Sequence, residues 1–159
     1  MIEISRIDET RFDDWDGLLG LIMSAFAYMD GVIDPPSSAH RLTPASLKEK
    51  AAAEIGYVAT EGGRLLGCIF CRPEPNGLYI GKLAVSPDAQ GKGIGLLLLQ
   101  TAEREAHART LPLLRLETRI ELTGNHQRFA AWGFVRTAER SHPGYDRVTF
   151  IEMQKPLFR

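Results

Sequence analysis

Cysteine is scarce in this chain of 159 residues, with two in all, too few for a disulfide framework. They stand as Cys68-Ile69-Phe70-Cys71. On a strand their side chains would face opposite sides, which bars a shared metal or an easy bridge. No second pair exists to complete a zinc site, so no metal centre is expected. Excess charge of either sign is missing too. Lys and Arg number 19 against 20 Asp and Glu, a formal net charge of -1. No global field therefore recruits nucleic acid. No apolar run approaches the length of a membrane span; the longest, Ile94 to Leu99, is interrupted by Gly95 and ends at Gln100. Met1-Ile2-Glu3-Ile4-Ser5-Arg6 lacks the apolar core and cleavage site of a signal peptide. The expectation is a cytoplasmic domain with neither nucleic acid nor membrane as partner.

What is present is globular. Hydrophobic residues make up 44% and charged residues 25%, which excludes a disordered chain. The length suits one domain, residues 1–159, with a sizeable core. Ile2, Ile4 and the Arg6-Ile7 edge alternate as a first strand. Trp15, Leu18, Leu19, Ile22, Ala25, Phe26 and Met29 recur at helical spacing, with Asp13 or Asp14 as cap. Residues 30–44 form a long loop punctuated by Gly31, Pro35-Pro36 and Pro44, and loops of that length are often functional. Thr43 caps a second helix that runs to about Glu54.

A meander follows: strands at 57–60, 65–71 and 78–85, with turns at Gly62-Gly63 and Pro73 to Gly77. A helix from about Gly93 to Ala108 leads to a strand at Leu113–Thr118. Asn125 to Trp132 reads as a short helix ended by Gly133. Phe134 to Ala138 and Asp146 to Gln154 read as a last antiparallel pair. The order βααβββαβαββ describes one mixed α/β domain, α+β by some schemes, with about four helices.

The stretch Gln90-Gly91-Lys92-Gly93-Ile94-Gly95 lies between the third meander strand and its helix. Three glycines at a helix entry are costly, because glycine loses the most backbone freedom on ordering. A chain accepts that cost where backbone must approach something closely. At a helix N-terminus, free N–H groups and the positive dipole end favour an anion such as phosphate. The P-loop template fails: Gly91-Lys92 is followed by Gly93, and its upstream glycine would fall at Ser86. The dinucleotide fingerprint is half met, with Leu96 at its third position, while Glu117 ends the next strand as that reading asks. An antiparallel meander before the motif argues against that oxidoreductase-type module.

A third pattern, Gln/Arg-x-x-Gly-x-Gly/Ala, fits completely. It is preceded by Leu83-Ala84-Val85-Ser86-Pro87 and followed, near the end, by Trp132-Gly133-Phe134. Here the chain resembles the GCN5-related N-acetyltransferase (GNAT) superfamily over nearly its whole length. The resemblance implies a mostly antiparallel sheet with a splay between two parallel strands. It implies acetyl-CoA as cosubstrate and an amine acceptor, joined in a ternary complex by direct transfer.

Carried over, the amides of Gln90, Gly91, Lys92, Gly93, Ile94 and Gly95 would hold the pyrophosphate. The backbone of Leu83, Ala84 and Val85 would pair with the pantetheine arm. Asn125 and Phe129 would border it. The family often has a tyrosine where Phe129 stands, and phenylalanine donates no proton. A non-catalytic acyl-CoA-binding domain of the same fold is therefore the alternative. Glu117 and His126 are the candidate bases, each also readable as a surface polar residue; Tyr79 is a further acid candidate, also readable as packing. Tyr28, Asp30, Asp34, Ser37 and Arg41 crowd the segment expected to meet substrate. Asp30 and Asp34 suit a cationic amine, and Arg41 a carboxylate. The final strand pair is placed to allow a homodimer.

Overall fold

The computed structural model describes residues 1–157. Seven strands form one sheet: β1 (Glu3–Arg6), β2 (Ile55–Glu61), β3 (Arg64–Glu74), β4 (Gly77–Val85), β5 (Leu113–Arg119), β6 (Val135–Arg140) and β7 (Phe150–Pro156). Their spatial order is β1-β2-β3-β4-β5-β7-β6. All neighbours run antiparallel except β4 and β5. Four helices flank the sheet: α1 (Trp15–Phe26), α2 (Pro44–Ala53), α3 (Ile94–Ala108) and α4 (Thr123–Ala131).

Local chemistry explains the helices. The Asp14 carboxylate accepts from the Gly17 amide at 3.0 Å and starts α1. Leu18, Leu21, Ile22 and Ala25 are then buried along one stripe. Thr43 and Ser46 cap each other's backbone amides at the start of α2, with Pro44 in the first turn.

The core lies in two layers, one on each face of the sheet. Under α3, Leu98 and Ala102 pack with Ile69, Leu78, Leu114 and Met153. Under α1 and α2, Leu18, Ile22 and Leu47 pack with Val58 and Phe70. Cys71 belongs to the first layer and Cys68 to the second, on opposite faces as their spacing predicts. Both are free thiols, and burial pushes each up to about 12, so neither forms a thiolate near neutral pH.

One irregularity positions the site. β4 pairs with β3 as Cys71 with Ile80, then as Phe70 with Lys82, so Gly81 is an extra residue without a partner. Such a bulge bends its strand. On its other side β4 pairs with β5 at Leu78–Leu114, Tyr79–Arg115 and Ile80–Leu116 only. Beyond the bulge the two parallel strands part.

The last strands differ from their expected spans. β6 continues to Arg140, and β7 begins at Phe150 rather than at Asp146. The residues between have other hydrogen-bond partners. Ser141 donates to the Arg147 carbonyl at 2.6 Å, and the His142 amide donates to the Thr149 hydroxyl at 2.8 Å. β7 is also interior, inserted between β5 and β6. The loop at 30–44 contains a single-turn 3-10 helix, Ser38–Arg41.

Leu98 is fully buried at the centre of the α3 layer. Leu98→Ala should lower stability by about 2–5 kcal/mol, read as a fall in the denaturant midpoint at unchanged slope.

Candidate active site

A cleft of about 950 Å³ opens where β4 and β5 part. Its floor is the β4 stretch from Ile80 to Val85 and the β5 stretch from Leu116 to Arg119. The end of α1 with Tyr28 and Met29 forms one wall, and α4 forms the other through Asn125, Arg128 and Phe129. The glycine segment closes one end. Leu83, Ala84 and Val85 pair with β3 on one side and, among the described residues, with no strand on the other. Their backbone is left for a ligand to pair with.

At the glycine end the backbone does what the sequence pattern demands. Gly91 has φ +84° and Gly93 φ +76°, a region that L side chains rarely adopt. A Cβ at either would point into open space, with nothing within 4 Å. Gly93 stands at the start of α3 and brings no side chain to cap its free amides. The first-turn N–H groups therefore face the cleft with the helix dipole behind them. Gly95 lies against Trp132, which a Cβ there would meet at an ordinary contact of 3.4 Å, and Trp132 lines the same end. Gln90, Gly91, Gly93, Ile94 and Gly95 line the cleft, whereas Lys92 is exposed beside it. Arg128 adds a cation to this wall. Sequence reasoning passes over it, although it lies one helical turn from Asn125.

Midway along the floor stands Glu117. Arg115 donates to one of its oxygens at 3.0 Å, and the Tyr79 phenol reaches the other at 3.4 Å. Arg115 is itself clamped by Glu74 through two contacts of 2.9 Å and touches Glu152 at 3.4 Å. The carboxyls of Glu74 and Glu152 are held below their usual range, first by hydrogen bonds from Arg115 and Thr137 respectively, with the Arg115 charge adding to both against their burial. Tyr79 lies off the cleft beneath Arg115, whose guanidinium sits 4.4 Å from the ring centre. Burial and then the Glu117 charge push that phenol up to about 12. His126 also lies off the cleft, its Nε2 2.8 Å from the Arg119 carbonyl. Phe129 lines the cleft and packs edge-on against Trp132 and Phe134, at 5.9 and 5.7 Å between ring centres.

Of the loop residues, Tyr28 alone lines the cleft. Its hydroxyl accepts from the Asn125 amide at 3.1 Å, a bridge from the end of α1 to α4. Asp30 pairs with His40 at 2.8 Å. Asp34 accepts from Tyr145 at 2.8 Å and pairs with Arg147 at 3.3 Å. Ser37 caps the Ala39 amide at 3.1 Å, and Arg41 is exposed. Two cations that sequence reasoning misses line the same end: Lys82, donating to Ser38 at 3.1 Å, and Arg119, donating to the Pro35 and Pro36 carbonyls. An isolated Lys or Arg on a strand carries no signal in sequence; the bulge and the loop bring these two together. Among the described residues no cluster of His, Cys, Asp and Glu could hold a metal ion.

Known proteins share this fold. The Acetyltransferase (GNAT) family profile matches residues 16–134. An IAA acetyltransferase of Azospirillum brasilense is 30% identical over 145 residues, covering 89% of this chain and 92% of its own. The ribosomal-protein-S18-alanine N-acetyltransferase of Escherichia coli superposes with a TM-score of 0.75 at 22% identity, covering 99% of this chain and 94% of that one. PaiA N-acetyltransferase of Thermoplasma acidophilum, solved in complex with coenzyme A, reaches 0.78 at 18% identity, covering 98% and 99%. With the strand order, the parted strands and the glycine cradle all in place, this chain belongs to the GNAT family of acetyltransferases and takes its acetyl group from acetyl-CoA.

Proposed function

We propose that one acyltransferase domain, residues 1–159, moves acetyl from acetyl-CoA to a primary amine of a small molecule or peptide, directly and in a ternary complex. One observation carries this reading. A single cleft joins an uncapped helix N-terminus, a stretch of unpaired β4 backbone and a positioned carboxylate. An amine as acceptor is supported by the names of the two solved relatives, both N-acetyltransferases.

The amides of residues 90–95 bind the pyrophosphate, with Lys92 and Arg128 adding positive charge. Leu83 to Val85 pair with the amide-bearing arm of the cosubstrate, and Asn125 and Phe129 border it. A β4 amide in the parted stretch polarises the acetyl carbonyl. The acceptor arrives as an ammonium and gives a proton to Glu117, which Arg115 holds at the floor. The freed nitrogen forms a bond to the acyl carbon as the carbon–sulfur bond breaks, and the second proton it sheds passes through solvent to restore the one that the leaving thiolate takes. The departing thiolate takes a proton. Phe129 has none to give, whereas Tyr28 does. Its oxygen accepts from Asn125, so its own O–H stays free to donate. Asp30, Asp34, Ser37 and Arg41 shape the loop above the acceptor end, and His126 fixes the end of β5.

In this reading the protein acts in the cytoplasm, in keeping with its two free thiols. A homodimer would form on the edge strand β6, where Val135 is 56% exposed.

Gly93→Val should weaken coenzyme A binding by at least about tenfold in calorimetry, since a branched side chain enters the phosphate space and φ is strained. Unchanged binding would place the cradle elsewhere. Glu117→Gln should cost about 10²–10⁴ in kcat/KM while leaving coenzyme A binding unchanged; an undiminished kcat/KM removes Glu117 as base. Tyr28→Phe should lower kcat more than KM and steepen the dependence of rate on acceptor basicity, because the thiolate loses its proton donor. A change in KM alone assigns Tyr28 to binding.

A further inference from the structure

The acceptor end of the cleft holds two cations that make no direct ion pair among the described residues. The nearby acids are engaged elsewhere, although one oxygen of Glu121 is buried without a hydrogen bond. Glu54 pairs with Lys50 at 2.8 Å, Asp30 with His40, Asp34 with Arg147, Glu121 with Arg147 and Glu117 with Arg115. Lys82 and Arg119 have no carboxylate within ion-pair distance among the described residues, and both line the cleft. Neither exhausts its hydrogen-bonding capacity. The Lys82 ammonium has three donors and gives one to Ser38. The Arg119 guanidinium has five N–H donors, and two of its nitrogens donate to the Pro35 and Pro36 carbonyls.

Such an arrangement is costly without an anion. Burial is the first cause that holds Lys82 below its ordinary range, the Lys50 charge the second, and Arg119 and Arg41 act in the same direction; Glu54 alone opposes them. Burial is also the first cause that lowers Arg119, against the charges of Glu121, Tyr145 and Asp34, which raise it. Two half-buried like charges with spare donors are stabilised by an anion placed between them.

We propose that the acceptor carries an anionic group, a carboxylate or a phosphate, which seats between Lys82 and Arg119 while its amine faces Glu117. Glu117 and Arg119 are two residues apart on β5 and so share a face, about 7 Å apart along the strand. That spacing fits a small molecule with its amine and anion a few bonds from each other. Phe26, Met29 and Leu122 line the same end and suit an apolar substituent on it. The position of the amine rests on the acetyl-transfer reading; the anion site does not.

The test separates the two. Matched probes are titrated calorimetrically into the protein, with and without coenzyme A: amino acids against their carboxamides, and aminoalkyl phosphates against the corresponding amino alcohols. Free-thiol release from acetyl-CoA is followed with the same compounds. At least one anionic series should bind about tenfold or more tighter than its neutral counterpart. The series with the larger gap identifies the anion. Lys82→Met should erase the preference and Lys82→Arg should keep it. Equal or tighter binding of the neutral compounds overturns the proposal, as does binding by no member of either series. A preference that survives in Lys82→Met overturns it too. Anion-dependent binding without thiol release leaves the site standing and sinks the transfer reading instead.

Discussion

The parting of β4 from β5 is the constraint on which the rest of this molecule depends. A strand in mid-sheet normally satisfies its N–H and C=O groups on both edges. Here the bulge at Gly81 turns β4 away after Ile80, and pairing with β5 stops at Leu116. The backbone of Leu83 to Val85 is left half-satisfied inside the fold. A ligand with amide groups in an extended arm satisfies it in the way a further strand would. The same parting opens the floor on which Glu117, Lys82 and Arg119 stand, and it aims the strand at the glycine segment.

Rigid packing keeps the parting open. α3 lies across the β2 to β5 layer, with Leu98 and Ala102 fully buried, so its N-terminus is held at the end of β4. On the other face α1 and α2 pack over β3 and β4, which carries Tyr28 to the mouth of the cleft. The bridge from Tyr28 to Asn125 then joins the two walls across the opening. The cleft is thus enclosed between elements distant in sequence.

Charge is distributed along the same cleft. At one end, backbone amides and Arg128 supply positive potential without a crowded set of side chains. In the middle, Arg115 gathers Glu74, Glu117 and Glu152 and keeps a carboxylate in place at the floor. At the far end the cations Lys82 and Arg119 have no such partners among the described residues. The loop acids that the sequence suggested for a cationic acceptor, Asp30 and Asp34, are instead ion-paired within the protein. They hold the loop against His40, Tyr145 and Arg147, and they lie off the cleft.

By itself the sequence determined the backbone geometry of the glycine segment. Gln90 to Gly95 carries its meaning locally, because positive φ at Gly91 and Gly93 and an uncapped helix start are properties of a few consecutive residues. Helix caps at Asp14 and Thr43 and the opposed faces of Cys68 and Cys71 were legible for the same reason. The tertiary structure alone decided what lines the opposite end of the cleft. Asn125 meets Tyr28 across 97 positions, and Lys82 meets Ser38 across 44. The ends of β6 and β7 were set by residues 141–149, which bond to each other and to Asp34 rather than continue a ladder. Short-range backbone geometry is written in residue type and spacing. Which distant side chains share a cleft depends on one unpaired glycine and on how two layers of helix pack around the strands it parts.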